Sequence, residues 1–91
     1  MGLFTMRVKD TFHLEGGTTA FIGVLETHAR TIPPCDCQII VNNEVKMSLR
    51  IDGEMILQKQ QAPCRAISSS QRIDLASFGV GRGGFTIRSK D

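Results

Sequence analysis

Apolar and polar residues alternate with a period of two along residues 4–15. The apolar side of this pattern consists of Phe4, Met6, Val8, Phe12 and Leu14. Such alternation is typical of a half-buried β-strand and places Phe12 in the core. Asp10 interrupts the apolar side, and a buried carboxylate is costly. We therefore expect a bend or bulge near residues 9–11 that splits the strand in two.

A hairpin follows this strand. Gly16-Gly17 accepts positive φ at both positions and predicts a tight turn. Residues 18–28 form the returning strand, which is apolar on both faces and so suits the interior of a sheet. Gly23 in its middle predicts a bend or a close approach of another backbone segment. Residues 29–36, with two prolines, are then expected to form a surface connection.

The second half of the chain repeats the pattern of short strands and turns. Residues 44–51 alternate strictly, which predicts that Val45, Met47, Leu49 and Ile51 point into the core. Asn-Asn and Asp-Gly pairs predict the turns on either side of this strand. The other predicted strands are residues 37–41, 54–60, 71–78 and 85–88, and residues 61–70 are predicted to be the longest loop.

Six or seven short strands without a helix predict an all-β domain. At 91 residues the chain has room for one domain, residues 1–91, and we expect a small, closed, antiparallel β-barrel. The 9 glycines and the absence of Trp and Tyr fit tight turns and short strands. No run is long and apolar enough for a signal peptide or a transmembrane helix, so we expect no membrane partner.

The basic residues are distributed unevenly. The formal net charge is +2, but residues 1–57 carry −2 and residues 58–91 carry +4. This C-terminal third could face an anion if folding gathers its cations on one surface. The same pattern could instead reflect solvated strand faces, and the sequence leaves both readings open.

The three cysteines, Cys35, Cys37 and Cys64, predict reduced thiols and a cytoplasmic location. With His28 they could supply four soft metal ligands. The paired C-x-x-C knuckles of structural zinc sites are missing, however, so we expect ordinary thiols and no bound metal.

No catalytic template is present in the sequence. The phosphate-binding loop Gly-x4-Gly-Lys-Ser/Thr does not occur, and the glycine-rich residues 79–84 precede a predicted strand rather than a helix. His13 and His28 are expected to be exposed, and Asp52 and Glu54 flank a turn and are expected in water. We therefore expect a protein that is not an enzyme and has no cofactor.

Residues 9–23 carry a resemblance to a known family. Asp10, Phe12, Gly16, Thr19 and Gly23 match, without a gap, the opening hairpin of the second domain of translational GTPases such as elongation factor Tu. Residues 82–87 are similar to the start of the last strand of that domain. The resemblance implies a six- or seven-stranded barrel. It also implies a role in holding the 3′ end of transfer RNA or in lying against ribosomal RNA, while a separate domain, absent here, hydrolyses GTP.

Two functional hypotheses follow. The first is a binding module for RNA or a nucleotide end, with one exposed aromatic ring for stacking and with phosphate contacts from basic residues. The candidates for these contacts are Arg7, Lys9, Arg72, Arg82 and Arg88. The second is a protein-interaction module, or one that forms homo-oligomers, which docks a partner through an exposed strand edge or through residues 61–70.

Overall fold

A computed structural model describes residues 4–26, 32–55, 64–71, 73, 75–81 and 83–90 of the chain. Within these ranges the fold is all-β, as predicted, and the only helical elements are two short 3₁₀ turns at Glu15–Gly17 and Leu75–Phe78. The strands are β1 (Thr5–His13), β2 (Thr19–Leu25), β3 (Cys35–Val41), β4 (Glu44–Ile51), β5 (Gly53–Met55), β6 (Arg65–Ser69) and β7 (Phe85–Ser89). None of the described residues forms a helix long and apolar enough to cross a membrane.

The seven strands form one antiparallel sheet in the order β4-β3-β7-β1-β2-β6-β5. The sheet curls so that β4 and β6 approach each other, although the described residues form no strand ladder between them. The expectation of a barrel is thus confirmed for its all-β class and antiparallel pairing. The described sheet is a curled, open half-barrel and not the closed barrel that we predicted.

Hydrogen bonds outside the strand ladders bridge the gap between β4 and β6. The backbone N–H of Asp52 donates to the carbonyl of Ser68 over 2.7 Å, and the Ser69 hydroxyl donates to the carbonyl of Arg50 over 2.7 Å. The N–H of Arg50 in turn donates to the side-chain oxygen of Gln71, also over 2.7 Å. We call this group of bonds the seam. It satisfies backbone groups of β4 that would otherwise lack a neighbouring strand.

The predicted bulge in β1 is present, but it does not split the strand. Val8 pairs with Gly23 and Asp10 pairs with Ile22, so Lys9 is an extra residue in β1. An extra residue moves every following side chain to the opposite face. Thr11 is therefore buried, Phe12 lies half-buried on the outer face, and Leu14 is 40% exposed. The prediction that Phe12 and Leu14 belong to the core was wrong for this reason.

Two glycines allow other segments to approach this bulge. A Cβ atom on Gly23 would overlap the carbonyl oxygen of Arg7, and one on Gly83 would overlap the carbonyl oxygen of Lys9. The N–H of Gly84 donates to the carbonyl of Val8 over 2.9 Å. The predicted close approach at Gly23 is therefore confirmed.

A second bulge lies between β3 and β4. Ile39 pairs with Met47 and Ile40 with Val45, so Lys46 is the extra residue. Leu49 and Ile51 are buried and Met47 packs against the core, as predicted. Val45 lies beyond the bulge and is 50% exposed, so its predicted place in the core was wrong. Asn42 and Asn43 form the expected turn with φ of 52° and 66°.

The region between β5 and β7 departs most from the sequence prediction. The predicted loop at residues 61–70 contains β6, which pairs with both β2 and β5. The predicted strand at residues 71–78 contains a 3₁₀ turn. Ile73 and Leu75 from this segment are buried in the core, and Phe78 and Val80 pack against it. The serines of this stretch were read as a loop signal, but the hydroxyl of Ser69 in β6 bonds to the carbonyl of Arg50 and that of Ser70, just after β6, bonds to the carboxylate of Asp52.

Candidate nucleic-acid interface

The sheet brings three of the five predicted cations to one part of its outer surface. Thr5 pairs with Arg88 and Arg7 with Thr86, which makes Arg7 and Arg88 diagonal neighbours on β1 and β7. The Cα atoms of diagonal neighbours on adjacent strands lie about 7–8 Å apart. Both side chains are exposed, as is that of Lys9 at the bulge of β1. Arg72 and Arg82 lie outside the described residues.

The three cations differ in their charged neighbours. The Nε atom of Arg7 lies 3.3 Å from Oε1 of Glu26, in a pair whose side chains are 70% and 46% exposed. An exposed pair of this kind is weak and can exchange its carboxylate for another anion. Lys9 and Arg88 form no ion pair with any carboxylate of the described residues. Positive charge on this face is therefore only partly neutralised.

Phe12 is the aromatic ring that the β1 bulge moves onto the outer surface. Of the other four phenylalanines, Phe4, Phe21 and Phe85 are buried and Phe78 packs against the core. The rings of Phe21 and Phe85 contact each other edge to face, with centroids 6.1 Å apart. The outer surface of β1 therefore carries Arg7, Lys9 and Phe12 in sequence. We call these three residues together with Arg88 the β1–β7 basic face.

The family-matching positions hold the first hairpin in shape. Gly16 has φ of 85°, a value that side chains rarely tolerate. The buried Thr19 hydroxyl donates to the carbonyl of Gln71 over 2.9 Å. Asp10 accepts a hydrogen bond from the N–H of Thr11 through its carboxylate over 2.9 Å, directly after the bulge. With Gly23, these residues fix the local backbone, and Phe12 is the matching residue whose side chain lies on the basic face.

The four-ligand metal site, which the sequence offered only as an alternative to ordinary thiols, does not assemble in the described residues. Cys35 and Cys37 lie together on β3 with their sulfur atoms 3.6 Å apart. The described part of the chain contains no group of three or more potential ligands, Cys64 included, and His28 lies outside it. All three cysteines are free thiols. Burial, the neighbouring Cys35 thiol and the Asp36 charge raise the pKa of Cys37 well above its ordinary value.

His13 is exposed, as expected, and it has a partner that the sequence did not reveal. Its Nε2 atom lies 3.0 Å from the carbonyl oxygen of Ile73. This contact joins the end of β1 to the segment that follows β6. His28 lies outside the described residues, so the expectation for it stays a prediction.

Glu54 was expected in water but forms a sheltered ion pair. Its carboxylate accepts hydrogen bonds from Nε and Nη2 of Arg65, over 2.8 and 2.6 Å, and the two side chains are only 23% and 21% exposed. These bonds lower the pKa of Glu54 and raise that of Arg65. Residues 61–70 were read as a loop, so no strand neighbour was available to suggest this pair.

Comparison with known proteins identifies no relative of this chain. No family model matches the sequence, and neither the curated proteins nor the solved structures contain a significant match. The candidate site must therefore be judged on the chemistry of its own residues.

Proposed function

We propose that the protein is a non-catalytic binding module that holds single-stranded RNA or a nucleotide end on the β1–β7 basic face. The observation that carries this proposal is the placement of Arg7, Lys9 and Arg88 on the same outer face as Phe12, with the arginines toward the opposite end of β1 from the ring. Cations that track a phosphate backbone beside an aromatic platform are the usual means of binding single strands. The resemblance of residues 9–23 to the second domain of translational GTPases, with its closed barrel, supports the same proposal.

The dimensions of the face suit a short strand of nucleic acid. Phe12 lies five positions after Arg7 along an extended strand, which corresponds to a distance of about 16 Å. This is enough for a few nucleotides, and the outer side of an exposed sheet leaves bases free to stack. Because a single ring and three cations are available, we expect modest affinity with little sequence preference.

The test is a fluorescence titration with short mixed-sequence single-stranded RNA at two salt concentrations. Three phosphate contacts predict a slope of log affinity against log salt of about −2. The double variant Arg7→Ala/Arg88→Ala should bind more weakly and show a shallower slope. Phe12→Leu should weaken binding and leave the slope unchanged, since it removes stacking without removing charge.

A matched control is Arg50→Ala, which removes another exposed arginine from the outer surface. Arg50 is paired with Asp36 over 3.3 Å and lies on β4, two strands away from β1–β7. The Arg50→Ala variant should leave RNA binding unchanged. Equal losses of RNA affinity in Arg50→Ala and in the double variant would show that binding depends on overall charge and not on this face. An absence of RNA binding at low salt would exclude the proposed function.

Self-association through β4 is a second candidate, favoured by the exposed Val45. Within the described residues β4 forms a strand ladder only with β3, and Val45 and Ile40 form an apolar pair on its outer face. An antiparallel pairing centred on Val45 would set Lys46 of one copy opposite Glu44 of the other. Light scattering should then show a dimer that Val45→Lys converts to a monomer. A wild-type monomer at all concentrations would exclude this candidate.

A further inference from the structure

Two thiols lie side by side at the start of β3, on the side of the sheet opposite the β1–β7 basic face. Cys35 and Cys37 are two residues apart in an extended strand, so their side chains project from the same face. Their sulfur atoms are 3.6 Å apart, and one thiol hydrogen-bonds the other. Neither is part of a disulfide. The two sulfurs are thus close enough to react with each other after a small movement.

The surroundings of the two thiols differ. Cys37 is fully buried in the hydrophobic core between Ile39 and the Leu49 that pairs with it. Cys35 is partly exposed and packs against the edge of the core. Burial disfavours the thiolate form of Cys37, and only the thiolate reacts readily with oxidants. Accessibility and environment therefore both make Cys35 the first sulfur to react.

We propose that Cys35 and Cys37 form an oxidisable dithiol that a peroxide converts reversibly to an intramolecular disulfide. Cys35 is the sulfur that meets the oxidant, and Cys37 is the sulfur that resolves the product. The site is independent of the proposed RNA binding, because it lies on the inner face of β3 and involves none of the basic face.

The reaction consists of two balanced steps. The Cys35 thiolate attacks one oxygen of hydrogen peroxide, the O–O bond breaks, and the leaving hydroxide takes up a proton to become water. Cys35 is then a sulfenic acid. The Cys37 sulfur attacks that sulfur, the S–O bond breaks, and the departing oxygen leaves with the Cys37 proton as a second water. Two thiols have lost two electrons and two protons, and one peroxide has become two waters.

Oxidation must also change the local backbone. Residues two apart in an extended strand have Cα atoms separated by about 6.6 Å, near the upper limit for a disulfide. Closing the bridge therefore shortens β3 at Asp36, where the carbonyl accepts a hydrogen bond from the N–H of Lys90 over 3.0 Å. The change is possible there because, among the described residues, Cys35 pairs only with Ile51, at the end of the ladder. A bridge strained in this way is readily reduced by a thiol such as glutathione.

The test treats the folded protein with hydrogen peroxide and then unfolds it in denaturant that contains N-ethylmaleimide, which blocks every remaining thiol, including the otherwise buried Cys37. Mass spectrometry of Cys64→Ser should show the loss of both reactive thiols and a mass decrease of about two hydrogens. Dithiothreitol should restore both. Hydrogen exchange of the Lys90 amide should become about tenfold faster in the oxidised protein, because its acceptor moves. Retention of both alkylatable thiols in Cys64→Ser would overturn the proposal.

Single variants test the order of the two steps. In Cys37→Ser the sulfenic acid on Cys35 has no resolving partner, so dimedone should trap it, whereas Cys35→Ser should give little trapped product at Cys37. Peptide mapping of the oxidised wild-type protein needs no variant and should give one linked peptide that contains both residues. Disulfide-linked dimers, or a bridge to Cys64, would contradict the assignment of the disulfide to Cys35 and Cys37 of one chain.

Discussion

Gly23 shows most directly how one residue shapes the fold. The backbone of Arg7 occupies the space where a Cβ atom of residue 23 would lie, so no side chain fits at this position. The glycine lets β1 and β2 approach at the bulge, and the bulge in turn carries Phe12 onto the outer surface. A residue chosen for backbone contact therefore determines the position of an aromatic ring that could bind a ligand.

We expect Gly23→Ala to destabilise the protein by about 3 kcal/mol or more. The added methyl group overlaps a backbone carbonyl that cannot rotate away, as in other overpacked interiors. Chemical denaturation followed by circular dichroism measures this loss. Gly81→Ala is the control, because a Cβ there meets no atom within 4 Å, and it should change the free energy of unfolding by less than about 0.5 kcal/mol. Similar losses in both variants would disprove the close approach.

At the scale of elements, the two bulges account for the errors in assigning strand faces. Period-two alternation placed the first half of β1 and the second half of β4 correctly, and failed beyond Lys9 and before Lys46. Asp10 indicated the first bulge, because an acidic residue interrupts the apolar side of the pattern. No such interruption marks the second bulge, since the sequence of β4 alternates without a fault.

The pairing of β5 with β6 predicts a dependence of stability on pH through Glu54. Arg65 lowers the pKa of Glu54 in the folded state. The stabilisation that the ion pair gives the folded protein is therefore complete above the pKa of the glutamate in the unfolded chain, which is about 4.3. It is lost as the pH falls through the folded pKa. Glu54→Gln should lower the free energy of unfolding by about 1.5–3 kcal/mol at pH 7, and this difference from wild type should become smaller in acid. Urea denaturation at several pH values measures both effects.

The exposed pair of Arg50 and Asp36 provides the control for this prediction. Its side chains are 56% and 65% exposed, so water and salt screen the interaction. Asp36→Asn should change stability much less than Glu54→Gln at pH 7. A difference between wild type and Glu54→Gln that stays constant down to strongly acidic pH would show that the ion pair does not act through its charge.

For the whole molecule, the seam between β4 and β6 determines how the half-barrel is held. Ser69 and Gln71 bind Arg50 of β4 through a hydroxyl and a side-chain amide, and the backbone carbonyl of Ser68 binds Asp52, just after β4, so no regular ladder is formed here. The buried segment with Ile73 and Leu75 then covers the core beside the seam. The fold is therefore held at this edge by a few specific polar groups.

Ser69→Ala tests this description of the seam. The buried hydroxyl donates to the carbonyl of Arg50 and accepts from the N–H of Gln71, so its removal leaves both groups unsatisfied. We expect a loss of about 1–3 kcal/mol in the free energy of unfolding. Ser70→Ala removes an exposed bond to Asp52 and should cost less than about 1 kcal/mol. Thermal denaturation of the two variants compares them, and equal losses would contradict a structural seam.

The all-β class, the first hairpin, the turn at Asn42-Asn43 and the limits of β4 could be predicted from the amino-acid sequence, because period-two alternation and turn residues are local signals. It also anticipated the first bulge and the close approach at Gly23. Three features emerged only from the folded chain: residues 65–69 are a strand, Phe12 faces outward, and Arg7 and Arg88 are neighbours. These features depend on pairing between residues far apart in the chain, and a register shift of one residue reverses every face that follows it.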